Sequence, residues 1–245
     1  MMFTFSLSPW KVTQFLSKVA LCLVLLSLLG QFMVHFLPHF PARTTFANLF
    51  NVDAEMNVPT LYSSYSLLLA SVLLGTIAYL KHQNRDRYTL HWSVLSFTFL
   101  FLSMDEILQI HEKLIEPLKG VSQTTGFIHF GWVIPAFFLV VIGFLAYLKF
   151  LAHLPATTRT WMIISACVYV GGALIMEVID GYYASLYGET NIFYQFLVTL
   201  EEMMEMIGMI IFIHTLLSYI VAWFTELNLQ IQIAADKFML AQQQH

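Results

Sequence analysis

The chain has 245 residues, of which 58% are hydrophobic and 11% charged, with a net charge of -4; a soluble globular domain carries about twice that charged fraction. Eleven basic and 15 acidic side chains are too few to coat a water-exposed surface of this size. Disorder is excluded by the 22 Phe, 11 Tyr and 12 Met, a disulfide scaffold by the presence of only two Cys, and nucleic-acid binding by the absence of a basic tract.

In chain order, apolar runs of about 20 residues, the length that crosses a bilayer as a helix, lie near 17–37, 61–80, 89–110, 127–148, 160–180 and 194–220. The first follows Lys11 and Lys18 but is too long for a signal peptide, and Phe-Leu-Pro-His-Phe-Pro succeeds it with no small-residue cleavage site, so it is retained. The expectation is an all-α polytopic membrane protein: one domain over residues 1–245, a bundle of six transmembrane helices, with an outer loop at 38–60 and a cytoplasmic tail at 222–245. Placing both termini in the cytoplasm puts Lys11, Lys18, Lys81, Arg85, Arg87, Lys149, Arg159 and Lys237 inside and leaves only Arg43, Lys113 and Lys119 outside, as basic residues distribute in membrane proteins. Trp10, Trp92, Trp132, Trp161 and Trp223 fall near run ends, where interfacial aromatics belong. The expected localisation is a plasma membrane, the inner membrane if the chain is bacterial.

The outer loop holds Asp53, Glu55 and Asn57 before Pro59; it would either cap the bundle and donate an oxygen ligand or serve only as a helix start. With this topology most acidic residues lie toward the outer face. Asp105, Glu106, Glu177, Glu201 and Glu205 all come at roughly 20–26 Å from the inner ends of their helices, at a rise of about 1.5 Å per residue. A charge inside a bilayer costs on the order of 3 kcal/mol, and no Lys or Arg in these runs compensates it, so a bound cation or protons would have to. Asp105, Gln109, Glu112 and Glu116 are spaced as one helical stripe; Glu201, Glu202 and Glu205 occupy one wedge of the last helix beside Gly208. Glu112, Glu116, Asp180 and Glu189 sit at or beyond the estimated boundary, where simple solvation is the expected state.

The candidate metal ligands are therefore Asp105, Glu106, His111, Glu112, His129, Glu177, Glu201, Glu202 and Glu205. Carboxylate with imidazole suits iron, manganese or zinc, and carboxylate alone suits magnesium or calcium. His35 is expected to be a packed, hydrogen-bonded side chain, and His214 lies too far inward to join the layer. Met203, Met204, Met206 and Met209 read as helix packing. The sequence lacks the Glu-x-x-His of ferritin-like bundles, a His-Glu-x-x-His motif, His-rich boxes, and the Arg that follows the paired glutamates of CAAX-type proteases. No span carries the mid-membrane Lys of a retinal protein.

Three segments, Asp-x-Glu-x-Asn-x-Pro-Thr-x-Tyr-Ser-Ser at 53–64, Phe-Leu-Ser-Met-Asp-Glu at 101–106 with His111-Glu112 following, and Glu-Glu-x-x-Glu-Met-x-Gly at 201–208, resemble a set of uncharacterised bacterial multi-pass membrane proteins. The resemblance implies that the three act as one unit and brings no activity with it. Two classes of function stand: a metal-dependent membrane enzyme, an oxidoreductase or hydrolase working on a lipid-like substrate at the outer leaflet, or a cation or proton-coupled transporter or channel. A third is a structural or assembly subunit, with a membrane-protein partner or a second copy satisfying the polar groups.

Overall fold

The computed structural model describes residues 3–4, 8–37, 39–110, 113, 132–223 and 230–231. Helix α1 spans Pro9–Phe36, a short α2 spans Arg43–Phe50, α3 spans Val58–Gln83, α4 spans Thr89–Leu108 and α5 spans Val133–His153. Next comes a composite helix: α6 (Ala156–Val170), a π-helical turn (Gly171–Met176) and α7 (Glu177–Tyr187). The longest element, α8, spans Ile192–Trp223. A two-residue antiparallel ladder between Phe3–Thr4 and Gln230–Ile231 ties the two ends of the chain together.

Five of these segments are long and apolar enough to cross a membrane: α1, α3, α5, the α6–α7 composite and α8. The 20-residue α4 falls short because His91, Ser93, Ser96, Thr98, Ser103, Asp105 and Glu106 dilute its apolar run. Large side chains such as Phe15, Leu25, Phe97, Phe138, Leu139 and Ile142 are exposed on the described surface, as lipid-facing residues should be.

Polar and small residues set the helix pairing. Between α3 and α4, Ser64 Oγ donates to the Ser103 carbonyl (2.9 Å) and Ser103 Oγ to the Ser64 carbonyl (2.9 Å). Two turns along, Ser71 and Ser96 repeat this reciprocal pair at 2.7 and 2.8 Å, so the helices run antiparallel. A Cβ on Gly75 would come within 3.1 Å of Ser96 Oγ. These are the close approaches and side-chain-to-carbonyl bonds on which helix pairs in lipid depend. Helices α1 and α8 are also antiparallel: Thr13 Oγ1 meets His214 Nδ1 at 2.8 Å near one end, and Gln31 Nε2 donates to Thr199 Oγ1 (3.4 Å) near the other.

The core is densest where α3, α4, α5 and α8 meet. Trp92, 1% exposed, lies edge-on to Phe150 and stacks on Tyr219, with Leu74, Ile77, Ile213 and Leu216 around it. Trp92 is therefore a core residue, a correction to the interfacial placement its position at a run end suggests; Trp10 and Trp161 are exposed as expected. Lys81 lies at this same end, 3.2 Å from Asp86 Oδ2 and over the Tyr219 ring. Cys22 and Cys167 are free and exposed.

The outer loop is held by specific bonds. Asn57 caps α3 by accepting from Thr60 N (3.2 Å), while its Nδ2 donates to the carbonyls of Asn48 and Asn51 (3.2 and 2.6 Å). Val52 N donates to buried Ser27 Oγ, and Gly30 lies so close to Ala47 that a Cβ would sit 2.9 Å from its Cα. In this way α2 and the loop are clamped onto α1.

Candidate metal centre

The composite helix bends its backbone where the acids begin. Gly171-Gly172 opens the π-helical turn, and such turns insert a residue that re-aims the side chains following it. Both glycines face α8: a Cβ on Gly172 would be 2.9 Å from the Glu201 carbonyl and 3.0 Å from Glu205 Cγ, and one on Gly171 3.1 Å from Met204 Cε. On α8, Gly208 returns the contact, its Cβ position lying 2.7 Å from the Tyr169 backbone nitrogen. The two helices thus touch backbone to backbone, and the side chains after the glycines are driven toward α8.

The result is a carboxylate triad. One oxygen each from Glu177, Asp180 and Glu201 lies within 4.8 Å of the others, a spacing that lets one ion contact all three. Asp180 is 2% exposed and Glu201 6% exposed, and Asp180 Oδ1 is enclosed with no hydrogen-bond partner. Neither α7 nor α8 contains Lys or Arg. Trp132 Nε1 donates to Glu177 Oε1 at 3.0 Å and orients that carboxylate from the side of α5. Asp53, on the clamped outer loop, is within electrostatic reach of Asp180 and Glu202.

Asp180 corrects the sequence reading, which treats it as a solvated residue past the boundary. The helix continues to Tyr187, so Asp180 is interior, and its i, i+3 relation to Glu177 puts both on the face toward α8. That spacing was the signal available in the sequence. Asp105, Glu106, Glu202 and Glu205 join no close group of three among the described residues. Glu106 and Glu205 instead line a small chamber with Tyr62, Ser66 and Tyr169, and Glu202 lies near both of them. Of the polar stripe Asp105, Gln109, Glu112, Glu116, Asp105 lies in the last turn of α4 and Gln109 ends that helix in the left-handed conformation (φ 54). Lys113 Nζ then caps α4 by donating to the Leu108 carbonyl (2.6 Å). His111, Glu112, Glu116 and His129 lie outside the described residues. His35 bonds to the Gln31 carbonyl one turn back (3.0 Å), and His214 pairs with Thr13, so neither faces the triad.

Residues 17–220 match the model of a domain of unknown function, DUF8692. The chain belongs to the DUF8692 family. Comparison with curated proteins and with solved structures gave no match. Within this family member the triad and its chamber are consequently read from chemistry alone. Three oxygen donors at this spacing suit a hard cation such as Mg2+, Ca2+ or Mn2+, whereas imidazole or thiolate would favour softer ions.

Proposed function

We propose that this chain is a six-span inner-membrane protein, with both ends in the cytoplasm, that holds a divalent cation between Glu177, Asp180 and Glu201 toward the outer face. The observation that carries the reading is the enclosed, unbonded Asp180 Oδ1 beside two further carboxylates. Three carboxyl groups in so small a volume, on helices without basic residues, need a cation or shared protons between them, and the enclosed, unbonded Asp180 oxygen favours the cation. Antiparallel packing of α4 against α3 supports its role as the sixth span, and an even number of crossings fits the pairing of the chain ends. Manganese is the ion common to a carboxylate-only shell and one completed by a histidine such as His111 or His129.

On this reading the finer function is metal-dependent chemistry on a membrane-confined, lipid-like substrate, with the cation polarising an oxygen or activating water. Transport is less well supported. Ser71 and Ser96 donate to each other's carbonyls, and Ser93, Thr76, Thr98 and Thr215 donate to carbonyls one turn back. Their hydroxyls serve helix structure and do not form a polar path.

Metal analysis of the purified chain after equilibration with Mn2+ tests the proposal. At least one equivalent is expected, falling at least roughly tenfold in affinity in Asp180→Asn and Glu201→Gln, since even outer-shell changes cost about 10–100-fold. Less than half an equivalent in the wild type, or affinities unchanged in both variants, would sink it.

A further inference from the structure

An apolar groove separates α1 from α3. Leu16, Val19 and Leu23 on α1 line it opposite Leu61, Tyr65 and Leu69 on α3, residues that recur at three- and four-residue spacing and so form one stripe on each helix. The space between them measures about 350 Å3, and from Leu61 to Leu69 it follows α3 for roughly 12 Å. On its other side α3 is zipped tightly, with four serine hydroxyl-to-carbonyl bonds joining it to α4. Toward α1, Tyr62 instead reaches across the gap and donates to the Leu16 carbonyl (3.1 Å). Phe15, Leu61 and Tyr65 are exposed at the rim, and both helices are long and apolar enough to cross a membrane, so the groove opens sideways into hydrocarbon. Its wall is not apolar throughout. Tyr62 and Ser66, hydrogen-bonded to each other, line this groove and also the small chamber that holds Glu106 and Glu205. The groove is therefore amphipathic, with hydrocarbon walls and one polar end.

We infer that this groove binds a single-chain, non-anionic amphiphile such as a long-chain alcohol, which enters from the bilayer between α1 and α3 and brings its head to Tyr62 and Ser66. Size and charge select that occupant. A space of about 350 Å3 is at the small end of ligand sites, which run from about 300 to 1,000 Å3, and it has room for one chain rather than the paired chains of a phospholipid. Neither the groove nor the chamber is lined by Lys or Arg. A phosphate or carboxylate head would therefore be an unpaired charge inside the membrane, next to two further acidic side chains. A neutral hydroxyl or an amine suits the same end, because the hydroxyl oxygens of Tyr62 and Ser66 accept hydrogen bonds as well as donate them. The inference rests on the preceding reading for a lipid-like substrate and adds its class and its point of entry; binding of the chain itself requires no metal.

Photolabelling tests it: the full chain in phospholipid nanodiscs is irradiated with a long-chain alcohol carrying a diazirine on its tail, and the labelled residues are read by mass spectrometry. Label is expected on Val19, Leu23, Leu61 and Leu69 several-fold above that on Phe137 and Phe138, which are exposed on α5 and report ordinary lipid contact. Excess unlabelled alcohol should remove the groove signal, and the fatty acid of the same length should not. Val19→Trp fills the groove from α1 and Leu61→Trp from the exposed side of α3; each should abolish the groove label and leave Mn2+ binding unchanged, and either one suffices if the other fails to fold. Equal labelling of the groove and α5 would make the occupant ordinary bilayer lipid and overturn the site, as would equal competition by the acid. Absence of label together with a dimer that Val19→Trp dissociates would put a second copy of the chain in the groove and overturn it too. Groove label on protein that binds no Mn2+ keeps this site and overturns the triad, whereas Mn2+ binding without groove label does the reverse.

Discussion

The two ends of the bundle treat polar groups in opposite ways. At the basic end, single groups close on single partners, Lys81 on Asp86 and Tyr219, Tyr88 Oη on the Lys149 carbonyl, Tyr147 Oη on the His91 carbonyl and Thr13 on His214, and one enclosed atom, His91 Nδ1, has no hydrogen bond. The filling between them is aromatic, with Trp92, Phe150 and Tyr219 in mutual contact. At the acidic end the filling is glycine, and the polar groups converge on one another: three carboxylates within 4.8 Å, with a buried Asp180 oxygen left over. The basic half packs as scaffold. The acidic half gathers its carboxylates around one point.

The largest effect should come from breaking the scaffold half. Trp92→Ala removes the side chain at the centre of the aromatic contacts and should cost on the order of 3 kcal/mol. This is the low end of aromatic-to-alanine losses, because in lipid the packing term is lost without the full transfer term. Unfolding in mixed detergent measures it, and Mn2+ affinity of the protein that remains folded should be unchanged. A parallel loss of binding would show that the two halves are not separable. Gly172→Ala should do the opposite. Overpacking of this kind costs about 1–3 kcal/mol, but the new methyl displaces the Glu201 carbonyl and the Glu205 stem, so cation affinity at the triad should drop about tenfold. Wild-type affinities in Gly172→Ala would show that the close approach of α6 and α8 does not position the acids.

Much of this division is legible in the sequence, and the parts that are not have physical causes. Long apolar runs mark α1, α3, α5, α6–α7 and α8, since length and hydropathy suffice for a helix that meets lipid. Depth arithmetic brings Glu177 and Glu201 to one level, and the two do lie together in the triad. It fails for Asp180 because it takes the end of the apolar run for the end of the helix, whereas α7 continues to Tyr187. It also cannot divide the acids into a triad and a chamber. That division depends on which faces of α6 and α8 meet, and the decisive residues, Gly172 and Gly208, act by lacking a side chain. Trp92 was misplaced for a related reason: hydropathy locates a residue along a helix but not around it. Of the loop alternatives, the helix start is the one seen: Asn57 caps α3 through Thr60 N with Pro59 in the first turn, and Asn57 and Val52 pin the loop.

The smallest effect should be at the one ion pair described, and its sign follows from which form of Asp86 the fold favours. Partial burial works against ionisation, but the Tyr88 amide, donating to Oδ1 at 2.8 Å, and the Lys81 ammonium outweigh it and hold the carboxyl below its ordinary value. A carboxyl with a depressed folded pKa adds stability that is fully present above its unfolded pKa, near 4, and is lost as the pH falls through the folded value. Stability should therefore be flat from about pH 7 to 5 on this account and decline below about pH 4, by less than about 1 kcal/mol because surface-proximal pairs are worth little. Asp86→Asn should abolish that slope while leaving the Mn2+ titration unaltered. Persistence of the full acid-side decline in Asp86→Asn would locate it among the carboxylates of the other end, and those acids would then have to carry the whole pH response on the acidic side.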